Sequence, residues 1–286
     1  MAEVGSGLNL DSWRGSGSYF EHRGHRIFYR DSQGTGPPLL LIHGFPTASY
    51  DWHRVWPELV KRFRVIAPDM IGFGFSAKPS RYDYSLFDQA DLHVALLAKL
   101  GIERARVLAH DYGDTVAQEL LARDADIHSV CFTNGGLFPE SHRPRLVQKL
   151  LRSPIGPLVA RAVNERAFRR SFAPIFAVKP SDEELAEYWQ LVSSDGGARI
   201  SHKLIGYISE RRENRARWVG AIVQARVPVR FINGIEDPLS GAHMVARYRE
   251  LVPNPNIVEL HGIGHYPQVE APEALMSAFL TPEIGG

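Results

Sequence analysis

The chain has 286 residues, of which 44% are hydrophobic and 23% are charged, values typical of folded globular proteins. That balance excludes a disordered, collagen-like or coiled-coil chain, and the length is sufficient to bury a sizeable core. Lysine and arginine number 33 against 32 aspartates and glutamates, so the net charge of +1 gives no general case for a nucleic-acid partner. The single cysteine, Cys131, cannot form an internal disulfide and suits a reducing compartment.

The N-terminal residues 1–18 are small and polar and show no periodic pattern, so we predict a flexible tail. They lack the apolar run of a secretory signal, and no stretch of the chain approaches the length of a membrane span. We therefore expect a cytoplasmic protein without a membrane-spanning segment.

Seven short apolar runs are predicted to be strands of one sheet. They are continuous rather than alternating, which is typical of strands buried on both faces of a largely parallel sheet. Helical patterns lie between several of them, including residues 86–100, which Gly101 ends, and residues 114–123. The predicted strands are 25–29, 38–42, 64–67, 106–109, 129–133, 227–232 and 257–260. The alternation predicts an α/β fold with a mostly parallel, doubly wound sheet.

A long segment without strand patterns interrupts this alternation. It contains several prolines and amphipathic helical stretches such as residues 181–192, where Ser181 and Glu184 form a capping-box pattern. We interpret the segment as an inserted helical lid over the carboxyl edge of the sheet, where α/β folds bind ligands. The predicted units are a tail of residues 1–18, a core of residues 19–137 and 221–286, and a lid of residues 138–220.

The most informative segment joins a predicted strand to a predicted helix through Ala109-His110-Asp111-Tyr112-Gly113. This is the small-x-nucleophile-x-small pattern of a nucleophile elbow, with Asp111 where ester hydrolases carry serine. The following helix points the positive end of its dipole at that side chain. An aspartate before a helix is also a favourable N-cap, so the segment alone fits either role.

Two later segments favour the catalytic role. Asp237 follows a predicted strand and could orient a histidine, and His265 follows the last predicted strand in a glycine-flanked loop. The chain order of nucleophile, acid and base is that of α/β-hydrolases. The loop after the strand 38–42 would bring the N–H groups of Phe45 and Tyr112 together as an oxyanion hole. No metal-ligand spacing occurs, so we expect neither a metal nor a cofactor.

Four segments resemble the epoxide hydrolase and haloalkane dehalogenase branch of the α/β-hydrolase superfamily. The resemblance covers nearly the whole chain after residue 18 and is strongest to a group of animal hydrolase-like proteins without a settled substrate. It implies an α/β-hydrolase fold, a mostly parallel doubly wound sheet with an inserted helical lid. The segments are HGFP (43–46), DMIGFGFS (69–76), HDYG (110–113) and GHYP (264–267).

An aspartate nucleophile narrows the reaction. Attack on an ester carbonyl would give a reactive anhydride, whereas attack on an sp3 carbon gives an ordinary alkyl ester that water can hydrolyse. His265, held by Asp237, would activate that water. We therefore expect a small apolar substrate and water as partners, with an epoxide oxygen or a halide as the leaving group.

The residues available to the leaving group favour epoxide hydrolysis to a vicinal diol. An opening epoxide needs a proton donor, and members of the branch use two lid tyrosines. The resemblance places Tyr207 in the setting of one of them; the other is missing, and Tyr188 is a candidate substitute in the substrate pocket. Trp189 could offer an indole to a halide in the same pocket.

Haloalkane dehalogenation is the first alternative, but three positions depart from that pattern. The resemblance places Phe45, Tyr112 and Asn134 where dehalogenases carry Asn, Trp and, in one group, the triad acid. A second alternative is a catalytically weak binding protein on a hydrolase fold, against which the complete triad argues. The lid is also rich in arginine; these side chains either attract anionic substrates or a membrane surface, or lie on solvated helix faces.

Overall fold

The computed structural model describes residues 8–281, and one eight-stranded sheet forms its centre. The spatial order of the strands is β1-β2-β4-β3-β5-β6-β7-β8. Strand β2 is antiparallel to both of its neighbours, and the other neighbouring pairs are parallel. The strands are β1 (Ser18–His22), β2 (His25–Asp31), β3 (Pro38–Ile42), β4 (Arg64–Pro68), β5 (Ala105–His110), β6 (Ile127–Thr133), β7 (Val229–Gly234) and β8 (Ile257–Leu260). The predicted mostly parallel sheet is confirmed.

The central strands are apolar on both faces, which is why their sequences are continuous hydrophobic runs. In β3, Leu40 and Ile42 belong to one buried cluster, while Leu39 and Leu41 belong to a second. Successive side chains of a strand point to opposite faces, so each cluster lies on its own side of the sheet. Strand β1 was not predicted because its residues alternate between exposed and buried positions.

Helices surround the sheet. They are α1 (Leu10–Gly15), α2 (Trp56–Leu59), α3 (Leu86–Lys99), α4 (Tyr112–Ala122), α5 (Leu146–Leu151), α6 (Gly156–Ala162), α7 (Glu165–Phe172), α8 (Asp182–Ser193), α9 (Gly197–Leu204), α10 (Tyr207–Glu213), α11 (Arg215–Val223), α12 (Ala242–Leu251), α13 (Pro267–Glu270) and α14 (Pro272–Leu280). Gly101 follows α3 with a φ of 66°, the left-handed conformation expected of a residue that ends a helix.

The seven helices α5 to α11 lie between β6 and β7, within and just beyond the segment predicted as the lid. The capping box at the start of α8 is confirmed, since Ser181 and Glu184 each accept a hydrogen bond from the other's backbone N–H. Helix α11 packs against α4 of the core. None of the helices in residues 8–281 is long and apolar enough to cross a bilayer.

The structure corrects the prediction of a flexible tail at residues 8–18. Asn9 caps helix α1 by accepting a hydrogen bond from the N–H of Ser12, and Trp13 is fully buried. The indole N–H of Trp13 donates to Ser49 Oγ at 3.2 Å, and its ring meets Trp56 edge-on. Trp13, together with the buried side chain of Leu10, therefore anchors this segment to the core. Residues 1–7 of the predicted tail lie outside the described residues.

Candidate active site

Asp111 occupies a sharp turn between strand β5 and helix α4. Its backbone has a φ of 49° and a ψ of −104°, and its side chain makes no capping hydrogen bond to the helix. The Asp111 side chain therefore does not cap helix α4, which was the alternative role for this residue. Gly113 is required nearby, because a β carbon there would lie 2.4 Å from the carbonyl oxygen of Ile42. The turn instead leaves the Asp111 carboxylate among the residues that line a cavity.

The backbone N–H of Phe45, in the loop after β3, donates to Asp111 Oδ2 at 3.1 Å. Tyr112 is the first residue of α4, so its N–H has no acceptor within the helix. The two backbone groups predicted to form an oxyanion hole thus flank the nucleophile, one of them already bonded to its carboxylate.

Asp237 and His265 meet at the same edge of the sheet. Asp237 follows β7 and His265 follows β8, and His265 Nδ1 lies 2.7 Å from Asp237 Oδ2. Burial alone would lower the pKa of His265, but the Asp237 carboxylate outweighs it and raises that pKa above 6.5. Burial would conversely raise the pKa of Asp237, but His265 and hydrogen-bond donors hold it well below its usual value. The pair leaves His265 Nε2 free to accept a proton.

Three further groups fix the Asp237 carboxylate. Ser240 Oγ donates to Oδ2 at 2.6 Å, the N–H of Leu239 donates to Oδ1 at 2.7 Å, and Asn134 Nδ2 donates to Oδ2 at 3.0 Å. Asn134, the residue that follows β6, therefore donates a hydrogen bond to Asp237 and is not itself the predicted triad acid. Sequence analysis singled out Asn134 because it departs from the dehalogenase pattern, but the sequence did not predict its hydrogen bond to Asp237.

The loop that carries His265 is held from two sides. His110 Nε2 donates to the carbonyl oxygen of His265 at 2.8 Å, and burial lowers the pKa of His110 to about 3, which keeps its ring neutral. Glu270 accepts hydrogen bonds from the N–H groups of Gly264 and Tyr266, both at 2.9 Å. It also accepts from two lid N–H groups, those of Ala177 and Val178. Glu270 thus ties the base loop to the lid, a role that no sequence motif indicated.

Arg211, from lid helix α10, is a second contact that sequence reasoning missed. Its guanidinium is buried, and Nη2 donates to the carbonyl oxygen of Asp111 at 2.7 Å. Nε donates to Thr115 Oγ1 at 2.5 Å, and the guanidinium carbon lies 4.5 Å from the centre of the Tyr207 ring. The side chain of Arg211 therefore contacts both the backbone of Asp111 and the ring of Tyr207, the predicted proton donor.

Asp114, in the first turn of α4 and three residues after Asp111, is fully buried. Neither of its carboxylate oxygens has a hydrogen-bond partner among the described residues. Burial raises the pKa of Asp114 well above its ordinary value, and the charge of Asp111 raises it further, while Arg211 opposes both.

The three predicted site residues of the lid, Tyr207, Tyr188 and Trp189, have different neighbours in the structure. The Tyr207 ring packs 5.0 Å from the ring of Tyr112 and 5.9 Å from that of Phe45, and its buried hydroxyl has no partner within residues 8–281. Burial, then the charge of Asp111, raises the pKa of that hydroxyl. Tyr188 is buried against other aromatic rings, and Trp189 packs against Phe168.

The cavity in front of the nucleophile has a volume of about 120 Å³ and lies between core and lid. Twelve of its eighteen lining residues are apolar, and Phe45, Asp111 and His265 are among the eighteen. The cavity lining does not include Tyr207, Tyr188 or Trp189. It does include Phe45, which contacts Tyr207, and Phe168, which contacts Trp189. No group of three or more His, Cys, Asp or Glu in residues 8–281 is arranged as a metal site.

Comparison with known proteins places this geometry in a family. A family profile described as the α/β hydrolase fold matches residues 37–272, and the chain belongs to that family. It is 43% identical to the mesoderm-specific transcript homolog protein of Homo sapiens, over 95% of this chain and 87% of that protein. It is 39% identical to LipZ of Mycobacterium tuberculosis, which is named as a hydrolase, over 96% of this chain and 97% of that protein.

A solved structure of an α/β-hydrolase fold protein from Burkholderia ambifaria matches with a TM-score of 0.81 and 26% identity, over 97% of this chain and 99% of that one. Two weaker matches carry reaction names. Haloalkane dehalogenase 2 of Mycobacterium bovis is 27% identical over 92% of this chain and 93% of that protein. The epoxide hydrolase CorEH has a TM-score of 0.77 and 23% identity, over 92% of this chain and 96% of that one, a likeness of fold.

Proposed function

We propose that this α/β-hydrolase converts small apolar epoxides to vicinal diols through a covalent ester on Asp111. The observation that carries the proposal is the Asp111 carboxylate itself, held by the Phe45 N–H and facing an apolar cavity. A carboxylate at the elbow is suited to attack on an sp3 carbon, because the product is a stable alkyl ester rather than an anhydride. The apolar lining suits an uncharged substrate body.

In the first step, one Asp111 oxygen attacks a ring carbon of the epoxide and the bond from that carbon to the ring oxygen breaks. The ring oxygen takes a proton from Tyr207, whose buried hydroxyl has no competing partner among the described residues. This role requires the hydroxyl to reach the oxygen of the bound epoxide beside Phe45. Arg211, stacked on the Tyr207 ring, stabilises the phenolate that remains.

In the second step, His265 takes a proton from water and the hydroxide attacks the carbonyl carbon of the Asp111 ester. The developing oxyanion forms on the oxygen that faces the N–H groups of Phe45 and Tyr112, each such donor contributing about 3–4 kcal/mol in related sites. The bond from that carbon to the alkyl oxygen then breaks, and the proton on His265 passes to the leaving alkoxide. Asp111 is left as a carboxylic acid, and the loss of its proton, with uptake of one proton by the Tyr207 phenolate, regenerates both groups. Asp237 stabilises the transient imidazolium.

Haloalkane dehalogenation is the alternative that a specific finding favours, since three relatives at 27% identity bear that name. Against it, no tryptophan or asparagine is among the residues that line the cavity in the described part of the chain. A halide would therefore lack the tryptophan indole and the asparagine amide of the dehalogenase pattern, and Gln148 and Arg145 are the lining residues with side-chain N–H groups besides His265. A catalytically weak binding protein remains the second alternative.

The proposal is tested by incubating the protein with a panel of apolar epoxides and of haloalkanes. We expect diol formation without halide release, and no turnover by the Asp111→Asn variant, whose neutral amide cannot attack. Halide release with no diol would establish the dehalogenase alternative. Ligand binding that survives in Asp111→Asn, with no turnover of either panel by the wild type, would establish a binding protein.

A further inference from the structure

Four large apolar side chains are exposed along a short stretch of the lid. Leu146 and Leu150 lie on α5, and Ile155 and Leu158 lie at the start of α6, with exposed fractions of 72%, 38%, 52% and 64%. They are four of the seven large hydrophobic residues exposed in residues 8–281. The spacings of four and three residues put each pair on one helix face. We call these four residues the outer lid face, and an exposed apolar cluster of this kind indicates an interaction surface.

The sequence that carries the outer lid face has no acidic residue between Glu140 and Glu165. Residues 141–164 contain five lysines and arginines and no aspartate or glutamate, in a chain whose net charge is only +1. None of the five takes part in an ion pair within the described residues, whereas the next lid arginine, Arg169, is paired with Glu165 and Asp182. The five are Arg143, Arg145, Lys149, Arg152 and Arg161. Arg143, Lys149 and Arg161 are exposed, whereas Arg145 also lines the cavity and Arg152 donates to Ser209 Oγ. The surface therefore combines exposed apolar groups with three exposed, unneutralised cations.

Exposed apolar side chains next to unpaired cations favour a partner that is both apolar and anionic. An anionic phospholipid surface offers an acyl boundary for the leucines and phosphates for the cations at the same time. A second copy of the chain, related by a twofold axis, would bring the same exposed cations against one another. We propose that the outer lid face docks on an anionic phospholipid membrane surface.

The docking face and the substrate cavity share one helix. Leu146 and Leu150 face outward, while Val147, Gln148 and Leu151 of the same helix line the cavity. A docked lid would therefore hold the bilayer next to the cavity wall. An apolar epoxide dissolved among the lipid chains would reach Asp111 without crossing bulk water. That last consequence rests on the proposed function, whereas the docking itself does not.

The test is sedimentation of the full chain with vesicles of phosphatidylcholine, with and without phosphatidylglycerol. We expect binding to the vesicles that contain phosphatidylglycerol and release as salt is raised. The Leu146→Ser/Leu158→Ser variant should bind at least about tenfold more weakly, because apolar area is lost from the interface. The Lys149→Glu/Arg161→Glu variant should lose the preference for anionic lipid. Val94→Ser, which replaces an exposed aliphatic residue on α3, is the matched control and should bind like the wild type.

Equal binding to both kinds of vesicle, no binding by the wild type, or an equal loss in Val94→Ser would each overturn the proposal. A wild-type dimer that Leu146→Ser/Leu158→Ser converts to a monomer would also overturn it, since a second copy would then cover the face. Vesicle binding is measured without turnover, so an absence of epoxide hydrolysis would refute the proposed function and leave the docking result standing. Hydrolysis of a water-soluble epoxide should persist in Leu146→Ser/Leu158→Ser.

Discussion

At the scale of single residues, the backbone of Asp111 is the most constrained part of the site. A non-glycine residue with a φ of 49° and a ψ of −104° is strained by roughly 1–3 kcal/mol, which its surroundings must offset. The Asp111 carbonyl oxygen accepts hydrogen bonds from Arg211 and from the N–H of Asp114. The elbow could be predicted because its residues are consecutive. The Arg211 contact could not, because it joins residues 100 positions apart.

Replacing Arg211 tests whether the lid positions the nucleophile. We expect Arg211→Met to slow formation of the ester on Asp111, because the elbow loses a charged hydrogen bond and Tyr207 loses the adjacent cation. The lost bond should also cost about 1.5–3 kcal/mol of folding free energy. Arg211→Lys, which keeps the charge but not the paired donors, should recover part of the rate. Single-turnover kinetics and urea unfolding measure both effects, and an unchanged rate of ester formation in Arg211→Met would contradict this role.

Replacing the two buried lid tyrosines separates catalysis from packing. Tyr207→Phe removes the proposed proton donor and should lower the rate of epoxide opening by about 10²–10⁴-fold, with little change in stability. Tyr188→Phe is the matched control, because its hydroxyl is also buried without a partner among the described residues, but its ring packs against Phe172 and Tyr266 rather than against Phe45 and Tyr112. Single-turnover measurements with one epoxide compare the two variants. Equal losses in both variants would show that Tyr207 does not act as the acid.

The pH dependence should report the His265–Asp237 pair. Burial alone would lower the pKa of His265, but Asp237 raises it above 6.5, and the base works only when neutral. The rate of ester hydrolysis should therefore rise with pH, with a midpoint above 6.5, and then level off. Asp237→Asn should move the midpoint to lower pH and slow the step by up to about 10⁴-fold. A pH profile of ester breakdown gives the midpoints, and an unchanged midpoint in Asp237→Asn would exclude the pairing as its cause.

At the scale of elements, the core strands and helices follow from local patterns. Strands β3 and β8 have the predicted bounds, and helix α3 ends one residue before its predicted end. Strand β1 and helix α1 could not be predicted in the same way. In β1 only Phe20 and His22 are buried, and α1 depends on Leu10 and Trp13 packing against residues far along the chain.

Helix α1 should contribute measurably to stability through Trp13. The side chain is fully buried, contacts the ring of Trp56 and lies with its ring 4.2 Å from the Arg30 guanidinium. Trp13→Ala should lower the free energy of unfolding by about 3–5 kcal/mol. Trp189→Ala, which removes a half-buried indole from the lid, should cost less. Urea denaturation compares the two variants, and an unaltered midpoint in Trp13→Ala would mean that α1 is not part of the cooperative unit.

At the scale of the whole molecule, the sheet explains why the three residues of the proposed triad, which span 155 positions of the chain, lie at one edge. Strands β5, β7 and β8 are parallel to their neighbours, so the residues that follow their carboxyl ends meet. Sequence order was therefore enough to predict that Asp111, Asp237 and His265 converge. The shape of the cavity was not predictable, since it depends on how helices α5 to α9 pack over that edge.

The most direct test of the covalent mechanism is the intact mass of His265→Ala after exposure to an apolar epoxide. Without its base, the enzyme should form the Asp111 ester and fail to hydrolyse it. The account predicts a mass increase equal to the whole epoxide, absent in the Asp111→Asn/His265→Ala variant. No adduct with any epoxide, or an equal adduct in the double variant, would contradict attack by Asp111 on an epoxide carbon.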